Sequence, residues 1–393
     1  MSSEYFTVKE HIVPCQHIRE GFMTTSPDNP GWRMQVKQYT PRDNPSPKEG
    51  DITILSSHAN GFPVELYEPF WDDLLSTLTP RNLKIRNIFI ITHPHLSSYS
   101  LNPGLTEDGS QIPDSSRDLL LLVNHFRDTI LHPIIGIGHS VGASQLLTLS
   151  LMHPSLFTSL VLIEPIISDN GSEAGVERLA LAAIRRRREW KTRAEAEAYF
   201  GKAWGGWDPR VREKWNSSAL IPSDVNNVDG KTELAWARVQ ELHSYMNPSE
   251  LRDLAAGENA EGGKGRPAWT PYPLQIWERI RDLGVHALFV CGAGSAQNSE
   301  RIRKHWKEFT GTNEKFWSRG FQRRIELKII GEGGHLVPLE APTKCADSAG
   351  VWIEEEMKVW WKEWAKDRRW RQTSEKDKGE SIEKWMAGLK SRI

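Results

Sequence analysis

The sequence predicts an α/β protein, with a mostly parallel sheet flanked by helices and an inserted helical cap. Three observations carry this reading. Short apolar runs, DITILSS (51–57), IRNIFIIT (85–92), PIIGIG (133–138) and SLVLIE (159–164), alternate with segments of helical periodicity. The alternation stops near residue 168 and resumes at VHALFVCGAG (285–294) and IELKII (325–330). The stretch between, 168–282, is charged, Trp-rich and mainly helical in pattern. The expected organisation is a core of 1–167 and 283–365, a cap of 168–282 and a charged C-terminal tail of 366–393.

Taken in order, residues 5–40 read as extended, polar-interrupted segments, the first antiparallel strands. PRDNPSPKEG (41–50) is a turn-rich loop. DITILSS is a buried strand, 64–78 is helical and IRNIFIIT is a strand again. A helix is expected over about 115–131, with Asp114 as its N-cap. After PIIGIG, Ala143, Leu146, Leu147, Ser150 and Leu151 fall at helical spacing and predict an amphipathic helix. Further helices are expected near 299–310 and from about Thr343 to Trp364. The tail after Lys366 is expected to be loosely ordered, apart from a short helix ending at the C-terminus. Strands joined through helices imply right-handed crossovers.

The 393 residues are 38% hydrophobic, enough for a sizeable core. Lys+Arg 50 against Asp+Glu 51 gives a net charge of -1, which argues against a nucleic-acid partner. Cys15, Cys291 and Cys345 form neither a disulfide framework nor a zinc site, so a reducing intracellular compartment, no metal and no cofactor are expected. MSSEYFTVKEHIVP carries Glu4, Lys9 and Glu10 where a signal peptide needs an apolar stretch. No apolar run approaches the roughly 18 residues of a membrane span.

The chemistry starts at Gly138-His139-Ser140-Val141-Gly142, a G-x-S-x-G sequence. The pattern alone arises by chance roughly once in ten chains of this length. Here an apolar strand leads in and a helix leads out, as a nucleophile elbow requires. A Cβ at either Gly138 or Gly142 would collide with the adjoining strand or helix. Ser140 is the candidate nucleophile, and the Val141 N–H at the helix start is one candidate oxyanion donor. The second should come from the loop after the third strand, His58-Ala59-Asn60-Gly61, with the Asn60 N–H as first choice and Ala59 second.

The base must lie after the last strand if the chain order is Ser, acid, His. IELKIIGEGGHLVPLEAP supplies His335 behind a flexible Gly-rich loop. His58, His93, His95 and His139 also lie near strand ends and could line the pocket, and for each a structural or pocket-lining hydrogen-bonding role is expected rather than catalysis. The acid usually follows the seventh strand, but Ala293 to Ser299 holds no carboxylate. Glu300 follows and reads as a residue capping the next helix. The alternative is Glu164, at the end of SLVLIE. A carboxylate there is costly to bury unless paired, and His335 on an adjacent loop is a suitable partner.

Together the loop SHANGFPVELYEPFWDDLL, the elbow GIGHSVGA, the strand VLIEP and the final GEGGHLVPLE resemble α/β-hydrolases of the fungal peroxisomal lipase and toxin-biosynthesis group. That group includes an acyl-CoA hydrolase of the mycophenolic acid pathway. The resemblance covers about 52–167 and 285–340 and implies the α/β-hydrolase fold. It also implies Ser140, Glu164 and His335 as a triad, because the family places its acid after the sixth strand. The chain ends Ser391-Arg392-Ile393, close to the small–basic–aliphatic signal read by the peroxisomal import receptor, with Ile where Leu is usual. Peroxisomal location is expected, cytoplasmic the alternative. The expected function is a serine hydrolase acting on an ester or acyl-CoA thioester through an acyl-enzyme, in fungal secondary-metabolite or toxin biosynthesis. Two rivals remain: acyl transfer or cyclisation from the same acyl-enzyme, and a non-catalytic binding protein. RRRRE (185–189) reads first as a solvated helix face, and second as a contact for CoA phosphates.

Overall fold

The computed structural model describes residues 2–16, 19, 31–96, 101–102, 111–169, 173–223, 230–242, 244–245, 271–317 and 323–390. In chain order they form α1 (Ser2–Tyr5), β1 (Phe6–Pro14), β2 (Arg33–Pro41), β3 (Ile52–Ser57), α2 (Glu68–Leu78), β4 (Ile85–Thr92), α3 (Ile112–His125), β5 (Ile134–His139), α4 (Val141–Met152) and β6 (Ser159–Ile163). There follow α5 (Glu173–Arg185), β7 (Glu189–Trp190), α6 (Arg193–Ala203), α7 (Pro209–Ser218), β8 (Leu220–Pro222), β9 (Thr232–Leu234) and α8 (Arg238–Leu242). The last elements are α9 (Tyr272–Arg279), β10 (His286–Gly292), α10 (Glu300–Phe309), β11 (Ile325–Ile330), α11 (Val337–Glu340), α12 (Pro342–Gln372) and α13 (Glu375–Lys390).

Eight strands make one sheet in the order β1-β2-β4-β3-β5-β6-β10-β11. The β1/β2 and β2/β4 pairs are antiparallel and the other five are parallel. β3, β5, β6 and β10 are buried at every residue, which is why they read as unbroken apolar runs rather than alternating ones. Successive side chains feed opposite faces. Ile88 and Ile90 join the cluster under α2 and α12, while Phe89 and Ile91 join the one under α3, α4 and α10. The result is the α/β-hydrolase fold, a sheet between two helical layers.

Several elements differ from the sequence reading. The helix expected over 115–131 is α3, and Gln111 is its N-cap. Asp114 sits three residues inside, and its carboxylate accepts from the Gln111 N–H to close a capping box. α4 is buried on almost every face rather than amphipathic, because α3 and α9 cover its outer side. α12 runs past Trp364 to Gln372, where loose order was expected, and α13 (Glu375–Lys390) corresponds to the helix expected near the C-terminus, although it is longer than a short one. Ser391, Arg392 and Ile393 lie outside the described residues.

The segment between β6 and β10 contains helices together with a small antiparallel sheet, β7-β9-β8. Trp190, Trp207, Trp215 and Trp236 are buried there and belong to the same apolar cluster as Phe62 and Val64 of the large-sheet side. Phe62 meets Trp204, Trp207 and Trp215 at ring-centroid distances of 6.3, 5.9 and 6.2 Å. Among the described residues no helix is long and apolar enough to cross a membrane.

The carboxyl ends of β3 and β4 carry three buried histidines. The His58 and His93 rings stack at 4.0 Å, and His93 and His95 at 5.6 Å. The His93 backbone N–H donates to His58 Nε2 at 3.1 Å, and His58 Nδ1 donates to the Ala59 carbonyl at 2.8 Å. Burial lowers His58 from 6.5 to about 4 and holds His93 well below its ordinary value. Both are therefore neutral in the folded protein, whereas the unfolded chain protonates them below about pH 6.5. The unfolded state then binds more protons, so stability falls as pH drops from about 6.5 toward 4, by about 1.4 kcal/mol per pH unit for each such histidine. Urea unfolding followed by tryptophan fluorescence should show this slope, and His58→Gln should reduce it by about one histidine's share. An unchanged slope in the variant would contradict the neutral assignment.

Candidate active site

Ser140 occupies the single residue between β5 and α4. Its φ of 57° and ψ of -125° lie where non-glycine residues are strained. The turn is fixed by close packing: a Cβ on Gly138 would lie 2.6 Å from Ala143 Cα, and one on Gly142 2.3 Å from the Ser57 carbonyl oxygen. The Ser140 N–H donates to the Ile163 carbonyl at 2.9 Å, tying the elbow to β6.

Ser140 Oγ lies 2.9 Å from His335 Nε2, and His335 Nδ1 lies 3.2 Å from Glu164 Oε2. His335 reaches this place from the loop after β11. Glu164 follows β6 at φ 49° and is fully buried. Its carboxylate also accepts from the Gly292 N–H at 2.9 Å, Ser295 Oγ at 2.6 Å and Asn298 Nδ2 at 2.7 Å. Every partner can donate, so the cradle is built for an acceptor. The loop after β10, the seventh strand of the large sheet, thus holds donors for a carboxylate rather than the carboxylate. Glu300 is exposed in the first turn of α10, and no hydrogen bond or ion pair joins it to His335 among the described residues.

Val141 begins α4, so its N–H has no intrahelical partner. Ala59, the second choice for the other donor, has its N–H committed to Tyr67 Oη at 3.0 Å. Asn60 is held by its side chain instead: Nδ2 donates to the Glu241 carbonyl at 2.7 Å, and Oδ1 accepts from His95 Nε2 at 3.2 Å. Asn60, Val141, Ser140 and His335 line one cavity of about 280 Å³. Phe62, Ile112, Ile166, Leu179, Trp204 and Leu336 make its wall largely apolar.

The arginine run is not one patch. Arg186 lines the cavity and pairs with buried Glu241 at 2.9 Å, while Arg187 pairs with Glu195 outside it. Arg185 and Arg187 are exposed. Sequence reasoning passed over Tyr67, Ser295, Asn298 and Glu241. The gap in carboxylates between Ala293 and Ser299 was the one signal pointing toward Ser295 and Asn298. His139 is buried and hydrogen-bonded to Tyr67 and to the His335 backbone.

Residues 58–348 match the model of the alpha/beta hydrolase family. A type I acyl-CoA thioesterase, mpaH', of Penicillium brevicompactum is 28% identical over 404 residues, covering 94% of this chain and 93% of its own length. The abhydrolase domain-containing protein AKT2 of Alternaria alternata is 30% identical over 267 residues, 66% of this chain and 99% of its own. The peroxisomal alpha-beta-hydrolase Lpx1 of Saccharomyces cerevisiae superposes with a TM-score of 0.72 over 99% of both chains, at 16% identity. With the family model spanning the elbow, Glu164 and His335 alike, this chain belongs to the alpha/beta hydrolase family and is a hydrolase.

Proposed function

We propose that the protein hydrolyses acyl-CoA thioesters, or closely related esters, with Ser140 as nucleophile, His335 as base and Glu164 as acid. The observation that carries this is the unbroken line from Ser140 Oγ to His335 Nε2, 2.9 Å, and from His335 Nδ1 to Glu164 Oε2, 3.2 Å. Similarity to a type I acyl-CoA thioesterase over nearly the whole chain supports the thioester class. The apolar cavity suits an acyl chain.

Ser140 Oγ attacks the carbonyl carbon while His335 takes its proton. Glu164 holds the imidazole in the tautomer whose Nε2 accepts, and stabilises the imidazolium. The Asn60 and Val141 N–H groups receive the oxyanion. The C–S bond breaks, the thiol leaves with the proton from His335, and the acyl group stays on Ser140. Water, deprotonated by His335, then releases the acid and regenerates the serine. Residues 168–282 act as the cap that shapes the acyl pocket. Location in the peroxisome is inferred from Ser391-Arg392-Ile393, and the yeast structural neighbour is described as peroxisomal. A place in fungal secondary-metabolite or toxin biosynthesis rests on the sequence resemblance.

Thiol release from medium-chain acyl-CoA should fall at least about a thousandfold in Ser140→Ala and at least about a hundredfold in Glu164→Gln, with folding intact. Wild-type turnover in Glu164→Gln would move the acid elsewhere. Analysis of the acyl product decides between hydrolysis and transfer: free acid supports the proposal, whereas an ester or amide of an added alcohol or amine supports transfer. Asn298→Ala, which removes one donor from the Glu164 cradle, should lower kcat by about tenfold and leave KM within about threefold. An N-terminal fluorescent fusion should be punctate with peroxisomal markers and become diffuse when residues 391–393 are deleted. Puncta that persist after the deletion would refute that signal.

A further inference from the structure

The hydrogen bonds around His139 link three loops that the catalytic steps use separately. The Ala59 N–H donates to Tyr67 Oη at 3.0 Å. Tyr67 Oη lies 2.7 Å from His139 Nδ1, and His139 Nε2 lies 2.8 Å from the His335 carbonyl oxygen. Proton counting fixes every direction. An amide can only donate, so the tyrosine oxygen accepts and gives its single proton onward to Nδ1. An imidazole accepting at Nδ1 carries its hydrogen on Nε2, and the His335 carbonyl can only accept it. Burial supports these states. It lowers His139 to about 3, with the adjacent His335 adding to the effect, and it raises the Tyr67 hydroxyl above its ordinary value.

We propose that Tyr67 and His139 are positioning residues: one hydrogen-bond chain locks the oxyanion loop and the His335 loop to the elbow. The proposal rests on the assignment of Ser140 and His335 made above. Three consequences follow. The Ala59 N–H is turned to Tyr67, which leaves Asn60 as the donor of its loop. The backbone carbonyl of His335 is pinned, so the ring keeps its contacts to Ser140 and Glu164 although three of the four residues before it are glycine. His139 stays neutral with its ring centroid 5.6 Å from that of His335, so it does not oppose the positive charge that His335 gains during acyl transfer. This also explains why a histidine can stand in the x position of the G-x-S-x-G sequence without competing as a base: its two nitrogens are already committed.

The test compares Tyr67→Phe, His139→Gln, His139→Ala and the Tyr67→Phe/His139→Gln double variant with wild type and Ser140→Ala. The readouts are hydrolysis of p-nitrophenyl octanoate and the rate of fluorophosphonate labelling, with circular dichroism and thermal midpoints to monitor folding. Tyr67→Phe should lose about tenfold to a hundredfold in kcat with KM within about threefold. Its labelling rate should drop in parallel. His139→Gln, whose amide can still donate to the His335 carbonyl, should retain more activity than His139→Ala. The double variant should be no slower than the worse single variant within about twofold, because both break one chain. A folded Tyr67→Phe with kcat within about twofold of wild type overturns the proposal, as do losses that multiply in the double variant. Should His139→Ala fail to fold, Tyr67→Phe decides alone, since it removes one hydroxyl and no packing. Ser140→Ala separates the two levels. Its hydrolysing at the wild-type rate would overturn the serine assignment and the chain with it. Its inactivity, beside an unimpaired Tyr67→Phe, would overturn the chain alone.

Discussion

The architecture around the site turns on holding one carboxylate, that of Glu164, out of water at the end of a strand. An isolated buried carboxylate is untenable, and a buried ion pair alone seldom recovers its desolvation cost. Here the Gly292 amide, the Ser295 hydroxyl, the Asn298 amide and the His335 ring converge on it. None of these donors is local. Gly292 is 128 residues away in sequence, and it comes within reach because Ile163 of β6 pairs with Val290 of β10 in parallel register. The whole segment from Ile166 to Val285 must loop out for that pairing to form. The carboxylate is therefore satisfied only when the two halves of the sheet have met.

The same junction carries strain. Three non-glycine residues among those described have positive φ, and two of them are Ser140 and Glu164. Each such residue costs on the order of 1–3 kcal/mol and persists only where its surroundings over-determine it. The determinants here are backbone hydrogen bonds one step beyond each strand end. The Ser140 N–H donates to the Ile163 carbonyl, and the Glu164 N–H to the Val290 carbonyl, both at 2.9 Å. Each exit is thus anchored to a carbonyl of the neighbouring strand, Ile163 at the end of β6 and Val290 near the end of β10, and each presents the side chain of a candidate site residue. Glutamate's extra methylene relative to aspartate fits this geometry: the carboxylate spans from the Gly292 amide to the His335 ring.

β3, β5, β6 and β10 were legible because both of their faces are buried, which leaves continuous apolar runs bounded by turns, whereas the edge strand β11 is half-exposed and reads as alternating Ile, Glu, Leu and Lys. IRNIFIIT and IELKII match β4 and β11 residue for residue. The positions of Ser140 and His335 were legible because a tight strand–helix turn needs two glycines and a loop that curls back over the strand ends is rich in them. Helix starts were less so: Asp114 is a strong N-cap type, yet a capping box places an equally suitable carboxylate three residues inside. Tyr67 was invisible for a different reason. In VELYEP it reads as one apolar position of a helical pattern, and only the tertiary fold brings its hydroxyl to Ala59 and His139. The segment 168–282 resisted because Trp204, Trp207 and Trp215 pack on one another and on Phe62, so their spacing reports a tertiary cluster rather than a local period.

That cluster gives the loop after β3, the candidate oxyanion loop, a second set of restraints. Phe62 packs among Trp204, Trp207 and Trp215, while two residues earlier the Asn60 side chain is bonded to the Glu241 carbonyl of α8. Glu241 in turn pairs with Arg186 at the end of the cavity and accepts from Trp236 Nε1 at 3.3 Å. The loop from Asn60 to Phe62 is thus fastened to the β6–β10 segment at both of its ends. Tyr67 and His139 fasten it to the elbow at Ala59. A ligand filling the cavity touches Phe62, Trp204 and Arg186 as well as Ser140. On the proposed function, a displacement of that segment by a bound acyl chain would be passed to Asn60 through Glu241, so that acyl-chain fit and transition-state stabilisation would be coupled through one loop.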